Sequence, residues 1–113
     1  MKVSYTAAAS RDVYELSRFY AGIDHRLGHR VLDRLNELQS ALLHNPRLGF
    51  KTLADRGADR RRLLLRSFPY AVYYLIDDAE NTIWIISVIH QSRHPGAWKD
   101  RVQEQPAVYK LAA

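Results

Sequence analysis

No cysteine occurs among the 113 residues, which excludes disulfide staples and thiolate metal centres and fits a reducing compartment. The chain also lacks the short motifs of several enzyme classes. It has no P-loop, no GxGxxG, no GxSxG and no HExxH, so it carries none of those phosphate cradles, nucleophile elbows or zinc helices. No apolar run approaches the roughly 20 residues needed to span a bilayer. The opening MKVSYTAAASRDVYE has no long apolar core of a secretory signal. The expectation is a cytoplasmic protein without membrane contact, cofactor or metal. No internal repeat or low-complexity segment is present.

What is there fits a single domain, residues 1–113, by size. Apolar residues make up 47% of the chain, enough for one core. The formal net charge is +5, and it is concentrated. Arg47, Lys51, Arg56, Arg60, Arg61, Arg62 and Arg66 lie in one segment opposed only by Asp55 and Asp59, while the rest of the chain balances ten cations with ten anions. A basic patch on a neutral body points to an acidic or polyanionic partner.

Periodicity gives the elements. Val3 to Thr6 reads as a short strand. Ser10 reads as an N-cap with Asp12 in the first turn. Val13, Leu16, Tyr20 and Ile23 then mark one helix face, with Gly22 as a stop and Asp24 as the next cap. Leu27, Val31, Leu35, Leu38 and Leu42 mark a second helix, ended by Asn45-Pro46. So short a link predicts an antiparallel helical hairpin. Residues 46–59 read as loop. Three strands follow: Arg62 to Phe68, Tyr70 to Ile76, and Thr82 to Ile89, with Pro69 and DDAEN at the turns. A short helix is expected from Pro95. The order β-α-α-β-β-β predicts an α+β domain, with an antiparallel sheet of about four strands carrying the helical hairpin on one face.

Strict alternation puts Ile83, Ile85 and Ile89 on one side of the last strand, and Trp84, Ile86 and Val88 on the other. Both sides are apolar, and one helical hairpin covers only one of them. Tyr73, Leu75, Trp84, Ile86 and Trp98 are therefore expected to face a partner or the C-terminal segment.

His25 and His29, one helical turn apart, lack a third ligand and read as surface residues. Asp77, Asp78 and Glu80 read as turn residues. The stronger group is Lys51, Arg60, Arg61, Arg62, Arg66, His90, Arg93 and His94. A sheet can gather them, with Arg62 and Arg66 on one face of their strand. Such a site has a histidine for proton transfer near neutral pH and arginines to clamp a phosphate.

The segments RRLLLRSFPYAVYYLIDD and IISVIHQSRHPGAW, in this element order, resemble the RelE/ParE family of toxins from type II toxin–antitoxin systems. The resemblance runs from Val3 to about Arg101. It implies a small basic bacterial toxin, held inactive by a cognate antitoxin whose acidic segment folds on binding. The family splits by target. RelE-like members cut messenger RNA on the ribosome without a metal. For that branch Lys51, Arg66 and Arg93 would hold the phosphate, and His90 would move the proton. ParE-like members instead poison DNA gyrase. The absence of a tyrosine close behind the last strand, the FPYAVYY strand and the His-x-x-Arg-His-Pro ending look closer to the ParE branch. Arg56, Arg60, Arg61, Arg62 and His94 would then form a basic patch for target or antitoxin. A non-toxic binding relative is the third possibility.

Overall fold

The chain enters the sheet, leaves it for two helices and returns for four further strands. The structure, a computed structural model, describes residues 1–52 and 58–92. Its elements are β1 (Lys2–Tyr5), α1 (Ala7–Ile23), α2 (His25–His44), β2 (Phe50–Lys51), β3 (Asp59–Leu64), β4 (Tyr70–Asp77) and β5 (Thr82–His90). The sheet order is β1-β5-β4-β3-β2. Every pairing is antiparallel except β1 with β5, which is parallel. The α+β fold stands as expected. One parallel pairing and the two-residue strand β2, inside the expected loop, complete it as a mixed sheet of five strands.

Helix α1 starts earlier than Ser10. Thr6 is the cap: its backbone N–H donates to Ile85 O at 3.0 Å while its Oγ1 accepts from Ala9 N at 3.2 Å. Three alanines after it are strong helix formers, so the helix begins as soon as the chain leaves the sheet. Asp12 therefore lies past the first turn, and its carboxylate accepts from Val88 N of β5 at 2.9 Å. Gly22 does not stop the helix, which runs on to Ile23, and Ile23 is exposed. Asp24 closes α1 and caps α2, where its Oδ1 accepts from Arg26 N at 2.9 Å. The helices pack closely at Gly28, where an added Cβ would stand 2.9 Å from Ala21 Cβ.

Two departures in the sheet matter for the site. First, β3 ends at Leu64 rather than Phe68. Residues 65–69 form a turn in which Ser67 takes a left-handed φ of 70°, and Leu65 N donates to Tyr70 O at 2.8 Å. The apolar run hid that turn from the pattern. Second, β5 carries a bulge. Tyr73 pairs with Ser87, but Tyr74 pairs with Ile85, leaving Ile86 as the extra residue. One extra residue reverses the facing of everything after it. Val88 thus joins Val72, Tyr74, Ile76, Ile83 and Ile85 in the core under the helices, with Leu16, Val31, Leu35, Leu38 and Leu42. Ile89 instead joins Leu75, Trp84 and Ile86 on the opposite face. The expected sides of Val88 and Ile89 are exchanged.

Candidate functional site

Part of the basic patch, Arg47 and Arg61, is occupied in holding the chain together. Arg61 lies on the helix side of β3, opposite Tyr74. Its Nε donates to Asp59 Oδ1 at 2.8 Å, and its Nη1 donates to Gly49 O at 2.9 Å and Arg47 O at 3.1 Å. Tyr74, fully buried, completes this tie: its hydroxyl donates to Pro46 O and accepts from Gly49 N, each at 2.8 Å. Burial pushes the Tyr74 hydroxyl pKa up, and the bond from Gly49 and the charge of Arg61 partly offset this. Arg47 pairs with Asp59 at 3.3 Å and with Asp78 at 3.5 Å. The loop from α2 into β2 is pinned by these groups, so Arg61 belongs to the fold rather than to an open patch.

Arg60 and Arg62 point to the other side, opposite Leu75 and Tyr73, and both are half-buried. On that face Leu75, Trp84 and Ile86 are 5%, 5% and 3% exposed, and Tyr73 is half-buried. These side chains are already out of solvent within the chain. Arg56, Arg93, His94 and Trp98, with the helix expected from Pro95, lie outside the described residues.

Three candidates for phosphate chemistry remain: Lys51, Arg66 and His90. His90 closes β5 opposite Tyr70, with the two rings edge-on at 5.2 Å. Its Nδ1 accepts from Ser92 N at 3.1 Å. A backbone N–H only donates, so the neutral ring carries its proton on Nε2. His90 lines a groove of about 230 Å³ with Asp12, Glu15, Phe19 and Tyr70. Arg66 lies in the turn after β3, exposed, and lines a different groove against α2 with Arg34, Glu37 and Leu64. It does not continue the strand face of Arg62, because β3 has already ended. Lys51 pairs with Arg61 at the far edge of the sheet.

Strand geometry separates Lys51 from His90. Lys51 is level with Tyr74, His90 is level with Tyr70, and three strand spacings lie between β2 and β5. At about 4.8 Å per spacing and about 3.4 Å per residue, the Lys51 and His90 backbones stand roughly 20 Å apart. A proton-transfer group has to reach its proton within about 3 Å, so one phosphate does not engage both. Lys51 is therefore kept from His90, while Arg66 and His90 line different grooves.

The pattern missed Glu15 and Phe19, which share the His90 groove. One signal was legible. Phe19 lies off the apolar stripe of α1, and it is 60% exposed. Among the described residues no three His, Asp or Glu side chains come together as a metal site, and no helix is long and apolar enough to cross a membrane.

A family model described as ParE toxin of the type II toxin–antitoxin system parDE matches residues 3–95. Two solved structures share the fold. One is the chromosomal ParDE toxin–antitoxin system from P. aeruginosa, with 15% identity, a TM-score of 0.64, and coverage of 80% of this chain and 95% of that one. The other is the isolated E. coli RelE toxin, with 20% identity, a TM-score of 0.60, and coverage of 92% and 97%. No curated protein matches.

Proposed function

Because the chain belongs to the ParE toxin family of type II toxin–antitoxin systems, we propose that it arrests growth by binding DNA gyrase in the bacterial cytoplasm. An antitoxin partner comes with that family, and here it holds the toxin inactive. The family match over residues 3–95 carries the reading. The roughly 20 Å between Lys51 and His90 supports it, since inhibition by binding needs no converging acid, base and phosphate clamp. Arg66 and Lys51, both exposed, and the half-buried Arg60 and Arg62 offer cations to an acidic partner surface.

The test is a supercoiling assay with purified toxin and gyrase. Inhibition that rises with toxin, and is relieved by prior addition of antitoxin, is expected. Full gyrase activity at a large toxin excess contradicts the proposal. Growth arrest without gyrase inhibition leads to the second reading, a ribosome-dependent ribonuclease, for which the likeness to the E. coli RelE fold speaks. No growth arrest at all, with antitoxin binding retained, identifies a non-toxic binding relative.

A further inference from the structure

In a protein of net charge +5, the groove between α1 and the end of β5 carries the opposite sign. It holds about 230 Å³ and is lined by Asp12, Glu15, Phe19, Tyr70 and His90 among others. Asp12 and Glu15 are neighbours on one helix face. The Asp12 carboxylate accepts from Val88 N at 2.9 Å, which fixes its charge against β5. The Glu15 side chain is exposed and makes no ion pair or hydrogen bond with any described residue. No arginine or lysine among the described residues lines the groove. Arg18, the next cation along α1, is held by Tyr14: its Nη1 donates to Tyr14 Oη at 3.0 Å, and its guanidinium lies 5.6 Å from the ring centroid.

The other wall of the groove is aromatic, and its rings hold one another. Tyr20 meets Phe19, Phe68 and Tyr70 edge-on at 5.1, 4.9 and 6.3 Å, and Tyr70 meets His90 at 5.2 Å. Phe19 still stands exposed, and so does Ile23 one turn further along α1. His90 uses Nδ1 for Ser92, which leaves its Nε2–H as a donor with no described partner. A carboxylate, a ring face and an N–H donor in one groove match an arginine residue. Its guanidinium takes two carboxylate oxygens and lies against an aromatic face, and its backbone carbonyl accepts from an N–H.

We propose that this groove docks DNA gyrase and receives an arginine from its surface, with the guanidinium between the Glu15 carboxylate and the Phe19 ring. The proposal rests on the gyrase reading and adds the place of contact. Charge decides that place. Lys51 and Arg66 are exposed and suit an acidic surface, and an acidic surface is repelled by Asp12 and Glu15. A toxin with an antitoxin and a target has two partners, and two regions of opposite sign divide them. The interlocked ring wall suits a surface that is already folded, as an enzyme's is, because little is left to order on binding.

The test titrates wild-type toxin, Glu15→Lys and Phe19→Ala into a supercoiling reaction. The antitoxin Kd and the urea midpoint of each protein are measured alongside. Carbodiimide labelling of the Glu15 carboxylate is compared in the free toxin and in its complex with gyrase. Half-inhibition should need at least tenfold more Glu15→Lys and at least threefold more Phe19→Ala, with antitoxin Kd within twofold of wild type. Labelling of Glu15 should fall at least threefold in the complex. Inhibition by Glu15→Lys within twofold of wild type overturns the proposal and leaves the gyrase reading standing, as does unchanged labelling in a complex that forms. A tenfold loss of antitoxin affinity in Glu15→Lys assigns the groove to the antitoxin and overturns the proposal. A urea midpoint lowered alike by Glu15→Lys and by Arg93→Ala assigns it to the chain's own arginine, with the same consequence. A wild-type toxin that does not inhibit gyrase overturns the gyrase reading, and this proposal with it. The labelling needs no substitution, so it decides the matter even if a variant misfolds.

Discussion

Arg61 and Arg66 lie five positions apart, yet they belong to two different regions. Arg61, in the middle of β3, is tied to Asp59 and to two carbonyls of the preceding loop, around a tyrosine hydroxyl that bonds two more backbone groups. Arg66, in the turn that follows, is exposed and has no described ion pair. The pinned region uses cations to fix the chain; the open region leaves Arg66 exposed. Net charge alone does not divide a basic segment in this way. Desolvated partners do, because a buried donor or acceptor left without a bond costs about 1–3 kcal/mol, whereas an exposed cation costs little to leave alone.

The largest effect should come from cutting the pinned region. Tyr74→Phe removes a donor and an acceptor at once, and strands Gly49 N–H and Pro46 C=O. It is expected to cost about 3 kcal/mol, read as a lower urea midpoint at unchanged slope. Gly49→Ala comes next. Its Cβ would meet Tyr74 Oη at 2.7 Å and Arg62 O at 2.8 Å, and a cost of about 2 kcal/mol is expected in the same titration.

A pH series sharpens the comparison further. Burial raises the Tyr74 pKa, and burial also raises that of Tyr5, against a smaller opposing effect of its bond from Gln39. A raised folded pKa gives stability that is fully present below the unfolded value, about 10, and is lost as pH rises through the folded value. Unfolding free energy should therefore fall above about pH 10, by at most about 1.4 kcal/mol per pH unit for each such tyrosine. Tyr74→Phe should show the shallower fall. An equal slope in the two proteins would break the assignment of Tyr74 to the pinned region.

The smallest stability effect is expected at the open region. Arg66→Ala should change the unfolding free energy by no more than about 0.5 kcal/mol. A loss as large as that of Tyr74→Phe would mean that the two regions do not differ.

Much of the fold was legible, for identifiable reasons. Val31, Leu35, Leu38 and Leu42 of α2 repeat at helical spacing and are buried. Strands β4 and β5 stand out as apolar runs separated by DDAEN, whose Asn81 takes a left-handed φ of 52° and whose Asp77 carboxylate accepts from Glu80 N. What escaped the pattern depends on partners distant in sequence. Thr6 outranks Ser10 as a cap because Ile85 fixes its backbone. The two residues of β2 form a strand only because Arg61 and Arg62 lie opposite them. The Ile86 bulge has no local mark, yet it moves Val88 and Ile89 to opposite faces. The candidate site was legible as a list of residue types and not as a place. The strand order that separates Lys51 from His90 is a property of the whole sheet, and no spacing along the chain encodes it.

The central claim is that these basic residues bind rather than cleave. Its most direct test adds purified toxin to a reconstituted translation reaction and maps message ends by primer extension, with Arg66→Ala alongside. The account predicts intact messages at toxin excess. New ends within translated codons, absent with Arg66→Ala, would contradict it and establish a ribosome-dependent nuclease.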